Sequence, residues 1–558
     1  MQTPDELEDL IGMPVPGESA VFPLGRGGTP AYDAADMESR ELLTWAPSVG
    51  SADLDLLPEK GILDTRVRDA SRNDAYVQNG GRVLQDAIVG ERFLLNSKPN
   101  FKVLGLDEVW AEEFQEEVEA KFTLFGESDR CYFDASRHNT FTGLVRLAVG
   151  IYGLAGEVLA TAEWIRGAFR PYSTAIQMVD LDRLSNPLGE MDSRWLRRGV
   201  QRDQWGAPIG YHIRMSHPSD ALENDNWTWK YVPATRGQVM NIPGWDRAQV
   251  IHIIEQDRPD QSRGVSSIVA ALKETRMGKR FRDTVLQSAV LNASYAASIE
   301  SDLPTEVIAA QVGAGGDSGK ALSKYAIDYL KQVNRFVGSS RNIGLGNAKI
   351  PVFYPGTKMK LQPAGTPGGV GTDFEKSLLR YLAASFGVTY EQLSKDYAQA
   401  NYSNLRAAIA DASRTNRVKK RMVADRFANA IFRLWLEEAI SKGDITSMPR
   451  NAPNWYTGLN AEAYCQAEWI GATMGQIDEL KETQAAVLRI NNGLSTREDE
   501  LARLGKDWRQ LFPQLAREKA LAKKNGLEFA TDSQQNQMNA STGTPTDEGK
   551  NPEGEGDK

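Results

Sequence analysis

Residues 374–408 read FEKSLLRYLAASFGVTYEQLSKDYAQANYSNLRAA. Up to Leu393 the apolar residues recur with a helical period. From Ser394 to Asn404 the chain turns polar and nearly charge-balanced. Tyr397 and Tyr402 are its only large apolar side chains before Leu405. A second helical run then covers 405–443. The order is helix, polar loop, long helix. A loop of this kind is either a plain connector or the part that touches something.

The rest of the chain bounds the choice. Its 558 residues are several domains' worth, and 41% hydrophobic with 25% charged residues is ordinary for chains with real cores. The net charge of −9 argues against non-specific nucleic-acid binding by the whole chain. Two cysteines, Cys131 and Cys465, give neither a disulfide framework nor a thiolate metal site. The acidic start, MQTPDELEDLIG, lacks the apolar stretch of a signal peptide. LAVGIYGLAGEVLA (147–160) is too short for a membrane span and contains Glu157, so no membrane association is expected.

Residues 1–59 are Gly-, Pro- and acid-rich and read as an arm. RVRDASRNDAYVQNGGRVLQDAIVGERF (66–93) reads as a helix pair broken at Gly80-Gly81. Helices are expected at 114–127 and 141–156. Strand patterns follow in EVLATAEWI, AIQMVDLDRL, GVQRDQWGAPIGYHIRM (199–215), WTWKYVP (227–233) and AQVIHIIE (248–255). This is an α+β region. Arg263-Gly264 opens a helix over 265–301. Residues 302–371 are mixed, with a Gly-rich VGAGGDSGKA and strand-like KIPVFYPG and KMKLQP. Residues 466–525 read as helical, with Gly493 as a stop and a capping box from Ser495 to Glu498. The tail 526–558 reads as disordered.

Catalytic patterns are missing. The four histidines form no ligand cluster, and His252 in an apolar strand reads as a core histidine. VGAGGDSGKA departs from a P-loop at Ala314 and at Ala321, where a first Gly and a Ser/Thr are required. Asp180/Asp182 and Asp64/Asp69/Asp74 could be drawn into a two-metal nuclease, but nothing fixes their geometry. No catalytic residue, no metal and no cofactor is therefore expected. What stands out is length: a helix of about 30 residues spans roughly 45 Å and suits a subunit of a larger assembly.

Both long helices carry basic bands. In the first, Lys273, Arg276 and Arg280 share a face, beside Lys279 and Arg282. In the second, Arg414, Arg417 and Arg421 share a face, with Arg406, Lys419, Lys420 and Arg426 nearby. Each band is open to two readings: a surface for a polyanion, or a contact with an acidic neighbour.

The segments 66–90, 263–301, 374–408 and 469–496 each resemble, in order along the chain, the lambda family of phage portal proteins. The resemblance implies a multi-domain α+β portal fold of wing, stem, clip and crown, assembled in the host cytoplasm as a dodecameric ring that stands at the unique capsid vertex of the virion. It implies double-stranded DNA in the channel, and as partners the capsid protein, the terminase large subunit and later a head-completion or adaptor protein. Carried onto this chain, 1–59 is the arm, 60–262 the wing, 263–301 the first stem helix and 302–371 the clip. Residues 372–393 become the second stem helix, 394–404 the tunnel loop, 405–459 the long wing helix and its connection, 460–525 the crown and 526–558 the tail. The tunnel loop would present Lys395, Asp396, Tyr397, Gln399, Asn401 and Tyr402 to DNA. The competing readings are a metal-dependent nuclease or packaging enzyme, and a different connector protein.

Overall fold

The computed structural model describes residues 49–167, 169–220, 224–236, 247–294, 370–398, 401–473 and 479–527, with short strands at 342–345 and 348–351 and isolated positions elsewhere. Most of the arm, of 302–371 and of the tail, including VGAGGDSGKA and KMKLQP, lies outside them. Helices of two turns or more and all strands are numbered below in chain order.

Helix α1 (Ala52–Asn73) starts where the Ser51 hydroxyl accepts the Leu54 amide, so helix begins seven residues before the expected end of the arm. It stops at Asp74, whose backbone turns extended and whose carboxylate accepts the amides of Tyr76 and Val77 to cap α2 (Ala75–Ile88). The expected helix pair exists, but its break is Asp74 and not Gly80-Gly81. An N-cap carboxylate satisfies helix-end amides that glycine cannot. Gly80 stays helical for a packing reason: a Cβ there would sit 2.6 Å from the Phe386 ring.

After strand β1 (Leu94–Ser97), helices α3 (Glu108–Gly126) and α4 (Phe141–Ala155) bring Trp110, Phe114, Phe122, Phe125, Phe141 and Tyr152 to the main core. α3 starts six residues earlier than its pattern suggests, capped by Asp107. An antiparallel three-stranded sheet follows in the order β3-β2-β8, from β2 (Glu157–Trp164), β3 (Thr174–Met178) and β8 (Val250–Ile254). Between β3 and β8, strands β4 (Leu196–Arg197), β5 (Val200–Arg202), β6 (Pro208–Arg214) and β7 (Trp229–Pro233) make a four-stranded antiparallel meander. A small second core of Leu159, Val179, Leu184, Val200, Tyr211 and Ile213 holds the two sheets together. The expected strand over AIQMVDLDRL is shorter, because Asp180 caps a 3-10 turn at Leu181–Arg183.

Ser266 caps a 3-10 turn (Ser267–Ala271) that runs into α5 (Leu272–Ser294). Strands β9 (Asn342–Leu345) and β10 (Ala348–Pro351) form a hairpin. The helix expected over 374–393 is two helices: α6 (Val370–Phe386), then a single turn at Tyr390–Ser394. Gly387, at φ +71°, breaks it, and Thr389 caps the second piece in a capping box with Gln392. The second long helix starts at Tyr402 and is interrupted: α7 (Tyr402–Lys419), one π-helical turn (Lys420–Asp425), then α8 (Arg426–Ser441).

Residues 460–473 are not the start of a helical region. After one turn at Asn460–Tyr464, strand β11 (Ala467–Ile470) pairs with β1, and Trp469 stacks on Phe93 at 5.5 Å inside the main core. Helices α9 (Glu479–Asn491), α10 (Arg497–Arg503) and α11 (Trp508–Lys524) follow. Gly493 takes the expected left-handed stop at φ +66°. The capping box sits one residue later than expected, between Thr496 and Asp499, because Thr496 is the residue with extended backbone there.

Candidate channel loop and basic surfaces

The polar loop is shorter than the sequence suggests, since Asn401 accepts the Ser403 amide (3.0 Å) and starts α7. Its entry is fixed by α2. The Asn79 side-chain amide donates to the carbonyls of Gln392 (2.9 Å) and Leu393 (2.8 Å), and the next residue, Gly80, meets the Phe386 ring. Lys395 then leaves the helix in the left-handed region at φ +58°, exposed. That backbone ordinarily selects glycine. Asp396 folds the next turn: its amide donates to Ser394 Oγ (3.1 Å), and its carboxylate accepts the Ala398 amide (3.1 Å) and the Tyr390 hydroxyl (3.4 Å). Tyr397 is half exposed. Gln399 lies outside the described residues, as does the side chain of Tyr402, whose backbone is already helical. The six loop residues are thus divided: Lys395, Asp396 and Tyr397 form the tip's first half, while Asn401 is a helix cap.

The first basic band divides as well. Lys279 donates to the Asn73 carbonyl (2.9 Å) at the end of α1, and Arg282 pairs with Asp74 (2.9 Å) and Glu375 (3.5 Å). These two cations clamp α5 between α1 and α6. Lys273, Arg276 and Arg280 are exposed and make no ion pair among the described residues.

In the second band, Lys419 donates to the Phe386 carbonyl (2.8 Å), capping α6, and burial pushes its ammonium below the ordinary value. Lys420 donates to Asp425 (2.7 Å) and to the Trp469 carbonyl (2.8 Å). Arg414, Arg417 and Arg421 are exposed and unpaired among the described residues. The π turn begins where the two lysines point inward. The basic run in the sequence is therefore an internal anchor and an external band of three arginines.

Sequence reasoning missed a buried charge cluster below the start of α5. Glu157, with no exposed side-chain surface, accepts from Arg263 (2.8 Å), Lys60 (3.0 Å), His252 (3.2 Å) and the Gly264 amide (3.0 Å). Arg263 uses its remaining donors on the carbonyls of Leu181, Leu184 and Arg198, and Lys60 also bonds Asp64 and the Gly264 carbonyl. Burial alone would raise the Glu157 carboxyl, but Arg263, Lys60 and His252 hold it well below the ordinary value. Burial raises Asp64, partly offset by Lys60. A Cβ on Gly264 would meet the Gly156 carbonyl at 2.2 Å, so the two glycines set the approach. The only hint in the sequence was His252 within an apolar strand. Lys60, Glu157 and Arg263 are separated by about a hundred residues each, and no local pattern links them.

The acidic sets do not make a two-metal centre. Asp64 bonds Lys60, Asp69 accepts from Asn73 and Asp74 caps α2. Asp180 and Asp182 do gain a third group, His217, with ligand atoms within 4.8 Å of one another. However, the Arg68 guanidinium already lies 2.7 Å from Asp182, where a cation would sit. No helix among the described residues is long and apolar enough to cross a membrane.

Comparison with known proteins supplies the context for this geometry. Residues 38–420 match the family described as phage portal protein, lambda family. Portal protein B of Escherichia phage lambda is 35% identical over 487 residues, 87% of this chain and 89% of that protein. The portal protein of Escherichia phage N15 is 36% identical over 489 residues, with the same coverage of 87% and 89%. Among solved structures, a chain in the neck of an empty GTA particle covers 83% of this chain and 96% of its own length. Its identity is 13% and its TM-score 0.35, too low a likeness to transfer a geometry from.

Proposed function

The chain belongs to the lambda family of phage portal proteins and has the portal role; on that footing we propose that it works as a ring of about twelve copies at one capsid vertex, with DNA passing through the centre. The ring is a structural device without an active site. Terminase docks on it during packaging, a head-completion or adaptor protein replaces terminase, and capsid protein surrounds it. The segments 60–262, 263–301, 302–371, 372–393 and 394–404 are its wing, first stem helix, clip, second stem helix and tunnel loop, and the crown is the part of 460–525 that follows β11, since β11 itself joins the main core.

The observation that carries the channel assignment is the loop's mounting. Asn79 holds two successive carbonyls at the loop's entry, while the tip offers one cation, Lys395, beside Asp396. A passage for duplex DNA must guide without gripping. Each phosphate neutralised by a fixed cation adds salt-dependent binding, and many together would hold the duplex in place. A polar, nearly neutral tip on a fixed stalk avoids that. Lys273, Arg276 and Arg280, and Arg414, Arg417 and Arg421, act either as weak electrostatic contacts with DNA or as contacts with the next copy.

Particle mass and negative-stain images of purified protein test the ring: particles of about a dozen copies with a central hole are expected. Replacing 396–400 by a Gly-Ser linker should leave rings intact and impair packaging or retention of DNA. A linker variant that cannot form rings would make the loop a packing element.

A further inference from the structure

The C-terminal helices α9–α11 lack a core of their own. Between residues 479 and 527 only Glu500 and Ala522 are buried, and nine large apolar side chains, among them Leu480, Leu488 and Leu521, are exposed. They dock on their own chain through polar groups: Asn96 donates to Glu498 (3.0 Å), Lys98 pairs with Glu498 (3.2 Å) and Arg509 donates to Asn96 (3.4 Å). A helical unit of this size is stabilised mainly by burying an apolar face. On α11 that face is explicit. Trp508, Leu511, Phe512 and Leu515 stand at i, i+3, i+4 and i+7, and Phe512 and Leu515 are 36% and 40% exposed. Lys519 and Lys523 continue the stripe toward the C-terminus, exposed and without an ion pair among the described residues.

The same chain carries a complementary surface. An open groove of about 1170 Å³ is lined by Val103, Ala430, Leu434, Trp455, Tyr456 and Leu459, among others, above the range of small-ligand pockets. Val103, Tyr456 and Leu459 are 55%, 48% and 69% exposed on it. The start of α3 adjoins it: Trp110 packs edge-on against Tyr464 at 6.2 Å, and Tyr464 stacks on Trp455 at 5.9 Å. There Glu108, Glu112 and Glu116, at i, i+4 and i+8, form an exposed acidic row with no ion pair among the described residues, and Val109 beside them is 65% exposed.

We propose that α11 of one copy lies in the Val103–Leu459 groove of the adjacent copy, its Lys519 and Lys523 against that copy's Glu108, Glu112 and Glu116. The inference rests on the ring reading. A ring needs a head-to-tail contact between two different, complementary patches on each chain, and these two are alike in apolarity and opposite in charge.

The test is done on full-length protein with Cys465 replaced by serine. A Leu459→Cys/Leu515→Cys variant, both exposed positions, should form disulfides between copies under mild oxidation, giving a ladder of multimers on a denaturing gel. Lys519→Glu with Lys523→Glu should lower the ring fraction by about tenfold, and adding Glu112→Lys and Glu116→Lys should restore it to within about twofold. Wild-type protein that forms no rings removes the ring reading, and this contact with it. Wild-type rings with only monomer-sized cross-links overturn the contact alone, since the helix then folds back on its own chain. Rings without any cross-link also overturn it, leaving the groove to another protein's helix.

Discussion

The two halves of one long helix behave as different objects. In α8, ten residues are buried, including Phe427, Phe432 and Trp435, which are fully enclosed. In α7, of similar length, only Ala412 and Asn416 are buried among the described side chains. The π turn between them is where Lys419 and Lys420 point inward to the ends of α6 and β11. The difference teaches that helix length alone says little about what holds a helix. One half is an axis of the core. The other is an arm that carries the loop and three outward arginines, and it is fixed chiefly at its ends.

The comparison breaks most visibly if the halves respond alike to truncation. Trp435→Ala or Phe432→Ala should cost about 3–5 kcal/mol in denaturant unfolding, as for fully buried aromatic rings. Ile409→Ala in α7, only half buried, should cost about 1 kcal/mol or less. Equal losses would make α7 a core helix. Glu157→Ala should match the upper figure, at about 3–5 kcal/mol, because it strands Arg263 as an unpaired buried cation and leaves Lys60 with Asp64 as its carboxylate partner. A small loss there would mean that water enters the cluster.

The exposed band sharpens the contrast. Replacing Arg414, Arg417 and Arg421 by Gln should change stability by less than about 0.5 kcal/mol each. If the band contacts DNA, the same variant should show a shallower dependence of DNA binding on salt, measured across a salt series. An unchanged slope would assign the arginines to contacts with the next copy.

A pH effect is expected where the C-terminal helices dock. Burial pushes the Glu119 carboxyl up to about 7, despite bonds from Gln115 and the Ser97 amide. The folded state then holds the proton more tightly than the unfolded chain. The resulting stabilisation is complete below the ordinary value of 4.5 and is lost as pH rises through 7. Glu119→Gln keeps an acceptor for both donors and removes the charge. It should flatten the stability profile between pH 5 and pH 8, read from thermal melts, and raise stability at pH 8 by about 1 kcal/mol. A modest gain is expected for Lys395→Gly, which relieves a left-handed backbone and should stabilise by about 0.5–1 kcal/mol in denaturant unfolding.

Element identity was legible from periodicity wherever a pattern was local. The helices at 141–155 and 402–441, the alternation of β7 and the Gly493 stop needed only neighbours in the chain. Element boundaries were less so, because caps decide them: Asp74, Thr389 and Thr496 end or begin helices through a pair of cap hydrogen bonds each, which composition does not reveal. Gly80-Gly81 looked like a break, yet Gly80 was selected by a ring more than three hundred residues away.

The family was written in long ordered segments, so the sequence by itself determined the class of protein and the α+β mixture. It also determined that the loop at 394–404 is polar and that two helices are basic. Only the tertiary structure decided which cations remain available. Lys279, Arg282, Lys419 and Lys420 are spent on carbonyls and carboxylates of distant elements, while their neighbours on the same helices stay exposed. It also assembled Lys60, Glu157, His252 and Arg263 into one buried cluster. The physical reason is range. Periodicity, capping and charge pattern act within a few residues, whereas burial and ion pairing depend on contacts that exist only once the chain has folded.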